Sequence, residues 1–225
     1  MQLEVVRERI AAAAARAGRS PSDVGIVAVT KGHPIATVRE AAANRLMDVG
    51  ENRVQEALAK QEAWPDAPVR WHLIGHLQRN KAGTAVGRFA LIHSLDSVRL
   101  ADALEREAAK RDVVQPVLVE VNVAREAQKS GAMPEEAEAV VAHAAAQPHL
   151  ALKGLMTMAP LTDDVAAQRK TFRGLRELRD RLAFNLQLST FNVLSMGMSN
   201  DFEIAIEEGA TMVRLGTVLF GERLR

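Results

Sequence analysis

Short apolar runs alternate with alanine-rich amphipathic segments along the whole chain. The runs are Gly25–Thr30 (GIVAVT), Leu46–Gly50 (LMDVG), Arg70–Gly75 (RWHLIG), Ala90–Ser94 (ALIHS), Gln115–Val123 (QPVLVEVNV), Leu152–Met158 (LKGLMTM), Thr190–Met196 (TFNVLSM) and Thr211–Gly216 (TMVRLG). They are rich in Val, Ile and Leu and mostly lack polar alternation. Strands buried on both faces of a helix-covered parallel sheet have this pattern.

Between the runs the apolar period changes to 3.6 residues, as over Arg99–Arg111 and Glu135–Ala146, which predicts helices. Asp96 and Ser97 stand where a helix start needs a capping oxygen, and Pro34 and Pro134 suit first turns after a loop. Eight strands alternating with helices predict an α/β fold, a single (β/α)8 TIM barrel, with an extra N-terminal helix over Leu3–Arg16. A doubly wound open sheet is the rival. It calls for a glycine-rich turn after the first strand, where this chain has Lys31-Gly32-His33-Pro34. No linker or low-complexity stretch interrupts the pattern, so one domain over residues 1–225 is expected.

Composition removes several function classes. With 29 Lys and Arg against 28 Asp and Glu, the net charge is +1, and only eight residues are aromatic, so nucleic acid is not an expected partner. No Cys means no disulfide, thiol catalysis or thiolate metal site; no Tyr means no phenol acid or base. His72 and His76 straddle a strand end, where four residues span about 13 Å, so no metal site is expected. Glu4, Arg7, Glu8 and Arg9 interrupt any apolar leader, and no run approaches membrane-spanning length. The expected setting is the cytoplasm.

A barrel carries its chemistry at the C-terminal ends of its strands. Polar loops occur in every fold, so the set counts for more than any member. Lys31 ends strand one directly after an apolar run, so its stem is expected to be buried, and burial favours the neutral amine, a nucleophile toward carbonyls. Closure of the barrel sets strand eight, with Arg214, beside strand one. Ser199 after strand seven and Gly216-Thr217 after strand eight suit a phosphate, as barrels often bind one there. A lysine for a Schiff base beside a phosphate cup suggests pyridoxal 5'-phosphate, with Arg214 facing the pyridine nitrogen. Asn52 after strand two and Met196 after strand seven complete the expected cofactor-binding set.

Longer stretches carry a resemblance. Val27–Lys31 (VAVTK), Gly50–Glu56 (GENRVQE), Trp71–Lys81 (WHLIGHLQRNK), His93–Asp96 (HSLD), Lys129-Ser130-Gly131, Gly154–Pro160 (GLMTMAP), Leu194–Asp201 (LSMGMSND) and Thr211–Gly221 (TMVRLGTVLFG) run in order through the chain. On these the sequence resembles the pyridoxal phosphate homeostasis protein family. The resemblance implies a barrel similar to the N-terminal domain of alanine racemases. It implies that Lys31 carries the cofactor, that Ser199, Gly216 and Thr217 hold its phosphate, and that Arg214 is the strand-eight arginine. Departures fall outside these positions: Gly32-His33 after the lysine, Ala124–Gln128 before Lys129, and Asn200 where Asp is frequent.

Two functions follow. One is a carrier that buffers or delivers the cofactor to enzymes depending on it, without turnover. The other is a small racemase or decarboxylase. In alanine racemases a tyrosine from a second domain of the partner subunit supplies the second base, and this chain lacks both Tyr and that domain, which favours the carrier and a monomer.

Overall fold

Each apolar run supplies one strand of a closed parallel barrel in the computed structural model, which describes residues 1–222. The strands are β1 (Gly25–Val29), β2 (Asp48–Glu51), β3 (Arg70–Leu73), β4 (Leu91–Leu95), β5 (Gln115–Glu120), β6 (Leu150–Met156), β7 (Val193–Ser195) and β8 (Met212–Leu215). They pair in chain order, and β1 closes on β8 with Val27 opposite Arg214. The helices are α1 (Leu3–Arg16), α2 (Ile35–Ala43), α3 (Val54–Ala63), α4 (Ala82–Ala85), α5 (Val98–Arg111), α6 (Ala137–Ala145), α7 (Val165–Asn185), α8 (Phe202–Glu207) and α9 (Thr217–Phe220). The barrel, its pairing and the N-terminal helix agree with the pattern of the sequence.

The main core lies between the strands and the helix layer. In α5, Leu100, Ala101, Ala103, Leu104 and Ala108 form the buried stripe, and the Ser97 hydroxyl accepts from Leu100 N–H to cap the first turn. Full burial of a side chain such as Leu104 contributes about 1.5–3 kcal/mol, and the small Ala positions let helix and barrel approach closely. Asp96 accepts from the Ser97 hydroxyl rather than capping the helix itself. The N-terminal α1 packs on α8, where Arg9 forks onto Glu203 at 3.1 and 2.8 Å and lies over the Phe202 ring.

Alternate strand residues fill the barrel interior. Val27, Val29 and Ile74 form one apolar layer, and Leu91, Leu118 and Met156 another. A Cβ on Gly50 would come within 2.9 Å of Val27 Cγ1, so this layer has no room for a side chain on β2. The strands end sooner than their apolar runs. β5 stops at Glu120, because Val121 pairs with Ala132 and Asn122 N–H donates to Ala132 O, turning the chain out of the ladder. Among the described residues, no helix is long and apolar enough to cross a membrane.

Candidate functional site

The strand ends converge on a cavity of about 440 Å³ at the C-terminal mouth of the barrel. It collects Lys31 after β1, Ser199 after β7, and Arg214, Gly216 and Thr217 from β8 and the turn beyond it. These five come from three separate stretches of sequence, and barrel closure is what unites them. Asn52 and Met196 do not line the cavity. Met196 is fully buried in the core beneath the helices, because the inward position on β7 belongs to Ser195. The Asn52 backbone packs against Gly75, where an added Cβ would meet its carbonyl oxygen at 2.4 Å.

The loops on the β7–β8 side are held together. Val218 N–H donates to Ser199 Oγ at 3.2 Å, tying the turn after β8 to the loop after β7. The serine hydroxyl accepts there, so its proton is what it has to offer a ligand. Gly197 has φ +94°, and a Cβ on it would lie 2.6 Å from Ala205 Cβ, so only glycine lets this loop rest on α8. Asp201, which composition gave no reason to single out, closes the loop by accepting from Met198 N–H at 2.5 Å. Burial raises its carboxyl above the ordinary range, and the Met198 hydrogen bond and Arg214 oppose that rise.

Arg214 is buried and held by three acceptors. It donates to Ser195 O and Ser195 Oγ, both at 2.8 Å, and to Thr157 O at 3.0 Å. Burial lowers its pKa to about 10, against the attraction of Glu120 and Asp201, so it carries its charge at neutral pH.

The turn bearing Lys31 is pinned on both sides. Thr30 Oγ1 donates to Glu51 Oε1 at 2.5 Å, and Gly32 N–H donates to Glu56 Oε1 at 2.5 Å. Lys60 of α3 ties these together, donating to Thr30 O (2.8 Å), Glu51 Oε1 (2.6 Å) and Glu56 Oε1 (3.0 Å). Residues 30 and 51 face the helix layer, and Lys31, next in the chain, lines the cavity.

A second polar line runs inside the barrel. Asp48, at the start of β2, forks with Arg70 at 2.6 Å on both oxygens and lies 2.9 Å from His72 Nε2. His72 Nδ1 is 2.9 Å from His93 Nε2, and His93 Nδ1 is 2.9 Å from Ser195 Oγ. His76, by contrast, is exposed and pairs with Asp96 at 3.3 Å. Burial, then the neighbouring His72 and Arg214, hold His93 well below the usual imidazole range. Burial alone would raise the Asp48 carboxyl, but the hydrogen bonds from His72 and Arg70 outweigh it and hold the group at about 2. The folded value lies below the ordinary 3.8, so this contribution to stability is present above pH 3.8 and lost as the pH falls toward 2. Urea unfolding followed from pH 5 downward is therefore expected to show a shallower acid loss in Asp48→Asn than in the native protein.

Residues 1–224 match the pattern of the alanine racemase N-terminal domain. A pyridoxal phosphate homeostasis protein of Aquifex aeolicus is 46% identical over 224 residues, 99% of this chain and 97% of that one. The chain belongs to the pyridoxal phosphate homeostasis family of alanine racemase N-terminal domains. Another member, from Pseudomonas aeruginosa, is 46% identical over 97% of this chain and 93% of its own length. Among solved structures, PipY of Synechococcus elongatus with PLP bound superposes with a TM-score of 0.84 at 38% identity, covering 96% of this chain and all of that one (100%). The alanine racemase of Clostridium difficile, at 14% identity, shares the fold: its TM-score is 0.72 over 89% of this chain and 52% of the racemase. This chain therefore superposes on about half of that racemase's length.

Proposed function

We propose that the protein binds pyridoxal 5'-phosphate at the barrel mouth, holds it on Lys31, and releases it to enzymes that depend on it, without turnover of its own. The observation that carries this reading is the cavity itself. It brings one primary amine, one guanidinium and two hydroxyls to a single space beside a glycine turn.

That donor set fits the group. When bound, the cofactor supplies an aldehyde that a primary amine can capture. Lys31 is the nucleophile in this reading, and the clamp on residues 30 and 32 orients it. Ser199 and Thr217 hold the phosphate with hydroxyl protons, and Gly216 lets the backbone approach it. Arg214 donates and cannot accept, so it holds the ring nitrogen as an unprotonated acceptor. An unprotonated ring is a weaker electron sink, which suits storage better than carbanion chemistry.

One feature favours a carrier over a racemase. No tyrosine is present to act as a second base. In this proposal the protein is a single-domain cytoplasmic monomer, and apoenzymes are the recipients.

The test is a visible absorption spectrum with added pyridoxal 5'-phosphate, followed by borohydride reduction and peptide mass mapping. One label per chain on Lys31 is the expected result. Scattered labelling of surface lysines, or none, overturns the reading. Amino-acid racemisation at rates typical of enzymes would overturn the carrier role while leaving the cofactor site intact.

A further inference from the structure

The polar line inside the barrel has a direction that simple donor counting determines. Arg214 can only donate, so Ser195 Oγ accepts from it. The single serine proton then goes to His93 Nδ1, 2.9 Å away. With Nδ1 accepting, His93 carries its proton on Nε2 and donates to His72 Nδ1 at 2.9 Å. His72 in turn carries its proton on Nε2 and donates to Asp48 at 2.9 Å. Every donor meets an acceptor and both rings are neutral.

The reverse direction needs one more proton. His72 would become a cation, His93 would donate to Ser195 Oγ, and the serine proton would lose its acceptor inside the barrel. A buried hydroxyl whose proton has no acceptor forfeits the hydrogen bond it makes with water when unfolded. A second buried cation would also face Arg214. The forward direction is therefore the native one.

The line connects distant places. Asp48 lies at the N-terminal end of β2, Arg214 lines the cavity at the opposite mouth, and the His93–Ser195 contact crosses from β4 to β7. Each link presents its acceptor side toward Arg214, so the chain of dipoles favours a cation there. Linked hydrogen bonds also polarise one another in a low-dielectric interior.

We propose that Ser195, His93, His72 and Asp48 form a one-way hydrogen-bond relay through the barrel that positions Arg214 from behind the cavity. None of the four lines the cavity, so they are positioning residues acting through the arginine. The part that concerns cofactor affinity rests on the function proposed above.

Two measurements separate the two ideas. Long-range ¹H–¹⁵N correlation of the histidine rings, in protein without added cofactor, is expected to show His72 and His93 neutral and protonated on Nε2 at pH 7. The Arg214 Nε–Hε resonance is expected to move in Ser195→Ala and also in His72→Gln, three hydrogen bonds away from the arginine. With pyridoxal 5'-phosphate added, Ser195→Ala should raise the half-saturating concentration about 3- to 10-fold, the worth of one hydrogen bond, and shift the bound visible band. Ser195→Thr keeps the hydroxyl and should return affinity and band to native values. A purely structural role would lower the melting temperature and leave the Arg214 resonance and the band in place. An Nδ1–H tautomer or a cationic ring at pH 7 overturns the relay. So does an Arg214 resonance unmoved in both Ser195→Ala and His72→Gln. If native protein shows no label at Lys31, the cofactor reading fails, and the ring tautomers and the arginine resonance still decide the relay.

Discussion

Lys31→Ala is expected to lose all covalent labelling by pyridoxal 5'-phosphate and borohydride while keeping its fold. Among the described residues that line the cavity, Lys31 is the one primary amine, so no neighbour can take its place. The variant keeps Ser199, Gly216, Thr217 and Arg214, and residual binding through the phosphate should persist and wash out on dialysis. The substitution lies in a turn whose fixing groups are Thr30 and Gly32, not Lys31, so stability should change by no more than about 1 kcal/mol. Lys31→Arg should not rescue, because a guanidinium keeps its proton at any pH the protein tolerates. Peptide mapping after reduction reads the result, with thermal unfolding as the control for fold. Stoichiometric label on another lysine of Lys31→Ala would remove Lys31 from its role.

The barrel was legible because its strands are buried on both faces, which leaves continuous apolar runs that no surface strand shows. Strand ends were less legible. The run Gln115–Val123 stays apolar past the last rung of β5, because Val121 and Val123 go on to pack outside the ladder. Likewise Thr190–Met196 shrinks to Val193–Ser195, since Phe191 is buried as part of the approach to the strand. Hydrophobicity reports burial, and burial continues where pairing stops.

The cavity residues were legible for a different reason. In a barrel the segments after all the strands gather at one mouth, so counting strands already placed Lys31, Ser199, Gly216 and Thr217 there. Met196 and Asn52 show the limit of that counting. A shift of one residue moves a side chain from the mouth to the outer layer, and Met196 falls on the outer side. The polar line from Asp48 to Arg214 was not legible. His72, His93 and Ser195 are separated in sequence, and the contact between residues 93 and 195 exists only because the barrel closes. Even so, His72 and His93, polar residues inside two of the predicted strands, were a signal that the interior was not purely apolar.

Lys60→Met is expected to be the most destabilising of the substitutions considered, by about 3–5 kcal/mol, the cost of removing one partner from a buried ion pair. Lys60 occupies an inward slot of α3 with Val54 and Ala57, a place where a helix facing a barrel normally carries an apolar side chain. That position, with Glu56 one turn earlier, is the trace it leaves in the sequence. Its ammonium donates to three acceptors in the folded chain, and Glu51, fully buried, depends on it. Burial already raises the Glu51 carboxyl, opposed first by the Lys60 hydrogen bond, and removing Lys60 would raise it further. A folded value above the unfolded one means stability is intact below the ordinary 4.5 and is lost as the pH rises through the window above it. The deficit of Lys60→Met relative to native protein should therefore grow from pH 4.5 toward neutrality, as read by urea unfolding. Lys60→Met combined with Glu51→Gln removes the stranded charge and should recover much of the loss at pH 7. A deficit that is independent of pH, or no recovery in the double variant, would show that the lysine acts through packing alone. Because the same ammonium holds the Thr30 carbonyl, the single variant should also take up label at Lys31 more slowly under conditions where it is still folded, linking the stability of the helix layer to the chemistry at the mouth.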